Sequence, residues 1–331
     1  MKKSIYIFSN GELKRKQDTL CFEISTGGKK YIPIENTEEI HIFGEVAINK
    51  KLLDFVSQKG ILLHFYNYYG FYEGSFYPRE HYNSGILILT QADYYNNFEK
   101  RIYFAKKFVE GAFLNMLKVL EYYNLRGENL EEEISKIKNL LESLEKFSTV
   151  EEIMAIEGNA KDIYYRSFNK IIKNENFYFE KREKRPPRNR INALISYGNS
   201  LLYTYVLSEI YKTHLDPRIG FLHTTNFRRF SLNLDIAEIF KPIIVDRAIF
   251  TVINKGMIKK KHFEEELGGI YLNEVGKKIF VEEMDKRMKT TIKHKKLGKN
   301  VSYRSLIRME LYKIEKHLLN DEKYEPFVIW W

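Results

Sequence analysis

Cysteine is almost missing from this chain: Cys21 is the only one in 331 residues. That excludes an intrachain disulfide framework, a cysteine-rich zinc site and a cysteine-ligated iron–sulfur cluster, and leaves Cys21 to read as a small buried hydrophobe. Long apolar runs are missing too. None approaches the ~20 residues a membrane helix needs, and the Met1-Lys2-Lys3 start has no signal-peptide core behind it. We therefore expect a cytoplasmic protein with no membrane role. Internal repeats are absent, which sets solenoids aside. Acidic residues are outnumbered: 44 Asp and Glu face 54 Lys and Arg, a net charge of +10, which favours a polyanionic partner. What is plentiful is core material, with 44% hydrophobic and 15% aromatic residues, enough for two packed domains.

The first 75 or so residues alternate as short strands: Ser4 to Ser9, Leu13 to Gln17, Leu20 to Ile24, Lys30 to Ile34, Glu39 to Ile42, Ile61 to Tyr66 and Phe71 to Phe76. Asn10-Gly11 and Gly27-Gly28 read as tight hairpin turns, and Lys50 to Lys59 as one small helix capped by Gly60. From Ala92 onward the period changes. Phe98, Ile102, Ala105, Val109, Phe113, Met116 and Leu120 recur at helical steps, and Leu130, Ile134, Ile137, Leu141 and Leu144 repeat the pattern after Gly127. The expected architecture is α+β: a small β domain over 1–80, a linker over 81–91 and a larger all-α catalytic domain over 92–331.

Three separated words offer metal ligands. Glu157 sits beside Gly158-Asn159 on an expected helix from Ala155 to Phe168, where two poor helix formers call for a reason other than propensity. An exposed glutamate paired with Lys161 is the plainer explanation. His223 lies in a Gly220-led loop before a hydroxyl-rich, basic run, Thr224 to Arg229, suited to phosphate. Asp235 and Glu238 share one helix face; a capping pair would explain them, but Pro242 should kink the helix at Glu238 or else open a new one. A carboxylate, an imidazole and a second carboxylate suit one divalent cation. The densest basic stretch surrounds Pro186-Pro187 and carries Lys181, Arg182, Lys184, Arg185, Arg188 and Arg190, as either a solvated loop or a phosphate-binding one. Lys286 to Lys299 is similarly basic. The apolar end, Pro326 to Trp331, is expected to pack on its own helical domain.

Taken together and in order, Glu-Gly-Asn-Ala, Gly-Phe-Leu-His and Asp-Ile-Ala-Glu-Ile-Phe-Lys-Pro resemble the CRISPR adaptation integrase family, the endonuclease subunit that captures foreign DNA as new spacers. Ile32 to Glu35 leading to Ile40 to Val46 is similar to its β-domain signature, and Arg190 to Gly198 to the helix before its histidine loop. The resemblance implies that Glu157, His223 and Glu238 ligate Mg²⁺ or Mn²⁺, with Asp235 adjacent and Lys241 and Tyr165 near the DNA. It implies strand transfer by the 3′-hydroxyl of captured double-stranded DNA (a prespacer) into the repeat, a homodimer joined through its β domains, and a small second CRISPR-associated subunit bridging two dimers. A stand-alone metal-dependent nuclease on branched or single-stranded DNA and a noncatalytic nucleic-acid-binding scaffold are the alternatives.

Overall fold

A computed structural model describes every residue except Met1, 79–81, Asn83, 226–229, Lys296 and Trp331. The chain divides into two compact units, Met1–His81 and Tyr82–Trp331. In the first, β1 (Lys3–Ile7), β2 (Gly11–Lys16), β3 (Thr19–Ile24), β4 (Lys29–Ile32), β5 (Thr37–Ile42) and β6 (Val46–Ala47) precede α1 (Lys50–Gln58), β7 (Leu62–Tyr66) and β8 (Tyr72–Phe76). They form two four-stranded sheets, β1-β5-β7-β8 and β4-β3-β2-β6. Alternation along β5 sends Ile40 and Ile42 into a core with Ile7, Leu13, Leu20, Phe22 and Leu63, which α1 closes with Leu52, Phe55 and Val56. On the opposite face Glu39 accepts from Ser4 Oγ at 2.8 Å and meets His41 Nε2 at 2.9 Å, while His41 Nδ1 meets the Tyr66 hydroxyl at 2.7 Å.

Gly27-Gly28 turns the chain between β3 and β4 with φ of +107° and +95°. Asn10-Gly11 does not make the expected hairpin, because β1 pairs in parallel with β5 and β2 pairs with β3, in different sheets. Gly11 is needed for a different reason: a Cβ there would stand 2.1 Å from the Glu23 carbonyl oxygen of β3.

The second unit runs α2 (Gly85–Asn96), α3 (Phe98–Asn124), α4 (Glu131–Ser143), α5 (Val150–Arg166), α6 (Phe168–Ile171), α7 (Arg190–Ile210), α8 (Leu232–Lys241) and α9 (Arg247–Asn254), then β9 (Phe263–Glu266), β10 (Gly269–Leu272), α10 (Glu274–Lys289), β11 (Thr291–Lys293), β12 (Asn300–Ser302) and α11 (Tyr303–Leu318). α2 begins inside the stretch expected as a linker. The unit is not all-α. Two antiparallel hairpins, β9–β10 and β11–β12, sit among its helices. β9 is Phe-Glu-Glu-Glu, with no alternation of apolar and polar residues, so its strand signal rests on the two-residue turn Leu267-Gly268, both at positive φ.

α5 starts at a capping box in which Glu152 N bonds Thr149 Oγ1 and the Glu152 carboxylate takes the Thr149 N–H. Of the two expectations for Pro242, the structure matches the second: the proline is the first residue of a new helical segment. It starts a five-residue π-helical turn, Pro242–Asp246, at φ −59° and ψ −40°, and that wider turn accommodates the missing N–H as the chain runs on into α9. The apolar C-terminus does pack on its own unit: Asn115 Nδ2 donates to the carbonyls of Ile239 and Phe327, Ile329 N donates to Asn115 Oδ1, and Phe327 stacks on Phe240. Among the described residues no helix is long and apolar enough to cross a membrane.

Buried Glu209 ties α7 to α11, accepting from Arg304 Nε at 2.7 Å and Arg308 Nε at 2.6 Å, with Lys212 at 2.9 Å. Burial pushes its carboxyl up, but Lys212, Arg304 and Arg308 outweigh that and hold it at about 2, against an ordinary 4.5. A folded pKa below the unfolded one adds stability that is fully present above pH 4.5 and drains away as pH falls toward 2. Glu209→Gln is therefore expected to cost roughly 3 kcal/mol at neutral pH and to remove that part of the acid decline. Urea unfolding at pH 6, 4.5 and 3 checks this; parallel pH profiles for variant and parent would refute it.

Candidate metal centre

The loop before α8 owes its shape to two side chains, one at the cap position of that helix and one within it. Ser231 Oγ accepts from Gly220 N at 2.8 Å and donates to the Arg218 carbonyl at 2.6 Å. Asp235, fully buried, takes the N–H groups of Phe221, Leu222 and His223 at 2.6, 3.0 and 2.9 Å. Gly220 is required by that approach: a Cβ would lie 2.7 Å from Asp235 Oδ2 and from the Ser231 carbonyl carbon. From the other side α2 and α3 pin the same loop, with Gln91 Nε2 donating to the carbonyls of Asp216 and Ile219, Arg101 Nε to that of Phe221, and the Phe221 ring stacked 4.4 Å from Phe104. Asp235 is thus no helix cap, and the cap position, Ser231, makes no side-chain capping bond.

His223 is aimed by this framework. Its Nδ1 lies 2.8 Å from Asp235 Oδ1, and because an ionised carboxylate only accepts, the proton belongs on Nδ1 and the Nε2 lone pair is left free. Burial disfavours the imidazolium, but Asp235 and then Glu238 outweigh it and hold the ring above its ordinary pKa.

Glu157 on α5 and Glu238 on α8 converge on one ammonium. Lys161, one turn after Glu157, pairs with Glu157 and lies 2.7 Å from Glu238. Lys241 Nζ reaches Glu238 Oε1 at 2.5 Å and stands 4.9 Å from the Tyr203 ring centroid. Burial pushes the Glu238 carboxyl up, yet Lys161, Lys241 and His223 overcome it and keep the group ionised well below the usual carboxylate range. At Gly158 a Cβ would meet nothing, so no neighbouring protein atom demands glycine there, and the space beside Glu157 stays open.

Among the described residues, no three Asp, Glu, His or Cys side chains converge tightly enough to hold a metal ion as they stand. Two of the three expected ligands, Glu157 and Glu238, nevertheless face a single positive charge. Glu157 Oε1 and Glu238 Oε2 are buried, and both are turned onto the Lys161 ammonium rather than onto a neutral donor. Two buried anionic oxygens around one cation, with an oriented imidazole beside them, fit a hard or borderline divalent ion.

The remaining residues singled out from the sequence fall in different places. Tyr165 and Lys241 are buried, each 5% exposed, with the Tyr165 ring against Phe168 and Phe179. Arg185 and Arg188 are exposed on the proline-containing loop, whereas Arg190 opens α7 and donates to the Asn176 carbonyl at 3.2 Å. Lys184 is exposed, and desolvation and the charges of Lys161, Arg182 and Lys241 push its ammonium below the ordinary lysine value. Arg182 faces inward, bonding Asn192 Oδ1 and Ser196 Oγ. The end of the expected phosphate-binding run, 226–229, lies outside the described residues. Of the charged residues around the carboxylates, the sequence shows one and hides another. The i,i+4 pairing of Lys161 with Glu157 is the one expected from their spacing, although Glu157 is buried rather than exposed. Asp246, pushed up to about 8 chiefly by burial, has no signal in the sequence, because only the π turn places it beside Tyr164 and Lys241.

The family model described as CRISPR associated protein Cas1 matches residues 5–286. A CRISPR-associated endonuclease Cas1 from Thermodesulfovibrio yellowstonii is 62% identical over 331 residues, covering 100% of both chains. One from Thermotoga maritima is 51% identical over 321 residues, covering 97% of this chain and 98% of its own. Among solved structures, a Cas1 protein from Thermotoga maritima superposes with a TM-score of 0.88 at 48% identity, covering 98% of this chain and 100% of the other. A casposase bound to integration product shares the fold, with a TM-score of 0.88 at 21% identity and coverage of 98% and 93%. By sequence and by fold, the chain belongs to the CRISPR-associated protein Cas1 family.

Proposed function

We propose that this protein is a divalent-metal-dependent DNA endonuclease and integrase of CRISPR spacer acquisition, with Glu157, His223 and Glu238 as ligands of Mg²⁺ or Mn²⁺. The observation that carries the reading is the pair of buried carboxylates on one cation beside an imidazole oriented by Asp235. A bound cation would polarise the phosphodiester and stabilise charge on the attacking and leaving oxygens. The chain does the rest. Asp235 holds the His223 tautomer and the loop that carries it. Lys241 and Lys184 keep positive charge beside Glu238, where a phosphate approaching the ligands is drawn in. Arg185 and Arg188, free on the surface loop, add contacts to flanking phosphates of double-stranded DNA. The nucleophile is the 3′-hydroxyl of captured DNA in joining, or water in cutting.

The relatives' names support the endonuclease part, and the casposase structure is of an integration product. Another protein of the same fold, at 17% identity, is part of a Cas6-RT-Cas1–Cas2 complex. For this chain the corresponding assembly is a homodimer joined through its β domains, with a small second subunit bridging two dimers.

The test incubates the protein, with and without that small subunit, with a prespacer duplex and a repeat-bearing plasmid in Mn²⁺ or chelator. Joined strands in Mn²⁺ alone are the expected product. Released fragments without joining would leave a nuclease, and DNA binding indifferent to metal would leave a scaffold.

A further inference from the structure

Two sequence features stay outside the metal centre: the basic segment from Lys286 to Lys299 and the apolar C-terminus. The fold brings them together. Trp330 Nε1 donates to the Lys293 carbonyl of β11 at 2.9 Å, His294 meets the indole edge-on at 5.6 Å, and Phe327 lies 5.5 Å away. Phe327 is itself anchored, through its N–H to Glu310 Oε1 at 3.0 Å and its stack on Phe240. The indole is therefore held in one orientation from behind. In front of it opens a depression of about 450 Å³ lined by Ile292, Lys293, His294, Lys295 and Trp330. Lys293 and Lys295 are exposed, and Lys295 Nζ stands 5.4 Å from the indole centroid. Among the described residues no carboxylate lines the depression, and no Asp or Glu occurs in the sequence between Lys286 and Lys299.

A fixed, half-exposed aromatic plane with an aliphatic floor and two exposed lysines at the rim matches one ligand chemistry especially well. An unpaired nucleobase stacks on such a plane while its flanking phosphates pair with the lysines. A blunt duplex offers the same phosphates but keeps its base faces within the stack. A carboxylate or a free phosphate would use the lysines and leave the indole idle.

We propose that Trp330, Lys293 and Lys295 form a binding site for single-stranded DNA, one that takes an unpaired nucleotide such as an overhang or splayed end. The proposal rests on the reading that the protein handles DNA, and extends it to a surface remote in sequence from Glu157, His223 and Glu238. The chain carries its own probe. Its 2 tryptophans are Trp330 and Trp331, so Trp331→Phe leaves Trp330 as the only indole.

In that background, full-length protein is titrated with a fluorescently labelled oligodeoxythymidylate and with a blunt duplex, following label anisotropy and Trp330 emission together. The oligonucleotide should quench Trp330 saturably, over the same concentrations at which anisotropy rises. The duplex should bind with little quenching. Adding Lys293→Ala and Lys295→Ala should weaken oligonucleotide binding about tenfold and leave the melting temperature unchanged, since both side chains are exposed. Oligonucleotide binding by anisotropy with silent Trp330 emission, or with no loss in the double lysine variant, overturns the site while the DNA-handling reading stands. Failure of both nucleic acids to bind overturns the two together.

Discussion

Asp235→Ala is expected to lower stability by about 3–5 kcal/mol, a large part of the ~5–15 kcal/mol that holds a typical domain together. The carboxylate accepts three backbone N–H groups and the His223 ring N–H from a fully buried position. Each buried donor left without a partner costs about 1–3 kcal/mol. The total falls short of the sum because the loop can open to water. Asparagine is a poor rescue: whichever way its amide turns, an NH₂ faces N–H donors now served by a carboxylate oxygen. Glutamate keeps the charge but moves it by one methylene into the space that Gly220 leaves for a shorter side chain. Thermal and urea unfolding of the three variants without DNA would check this. A change under 0.5 kcal/mol for alanine would show that the loop does not depend on Asp235.

Glu157→Gln, His223→Ala and Glu238→Gln are each expected to reduce Mn²⁺-dependent strand joining by at least about 10³-fold while changing DNA affinity by less than about threefold. Loss of a ligand removes the interaction on which the transition state depends, whereas DNA affinity comes mainly from surface cations such as Arg185 and Arg188. Glu238→Gln differs from the other two in one respect. Lys161 and Lys241 both lean on that carboxylate, and a neutral amide would leave two ammonium groups facing each other in a buried site. Its melting temperature should therefore fall more than that of Glu157→Gln. Joining rates, affinities and melting curves on one set of preparations separate these effects. Persistent metal-dependent joining in any two of the three variants would sink the ligand assignment.

Much of this fold is legible in the residues themselves. Strands alternate where one face is buried, and α3 shows its period because Phe104, Phe108 and Ala112 line a single buried face. Pairing is not legible. Asn10-Gly11 has hairpin composition but stands between strands of different sheets, and that is decided by long-range contacts such as Glu23 against Gly11. β9 is invisible for a related reason: three consecutive glutamates carry no period, and the strand exists because β10 pairs with it.

In the site, sequence order pointed to Glu157, His223, Asp235 and Glu238, but it could not assign their separate tasks. Asp235 and Glu238 share a helix face, yet one bonds the histidine loop and the other meets Lys161, a division set by how α5, α7 and α8 pack. Charge in the proline-containing loop is easy to see, whereas its partition is not: Arg185 and Arg188 face solvent, Arg182 turns inward onto Asn192 and Ser196, and the Lys184 ammonium is disfavoured by desolvation and neighbouring cations.

Pulsed EPR of Mn²⁺ added to the purified protein tests the central claim most directly, because coupling to a directly bound nitrogen identifies an imidazole ligand without reference to activity. One bound Mn²⁺ with a ¹⁴N coupling that disappears in His223→Ala, and weakened Mn²⁺ binding in Glu157→Gln and Glu238→Gln, is the predicted result. Mn²⁺ bound without nitrogen coupling, or with a coupling that survives His223→Ala, would contradict it.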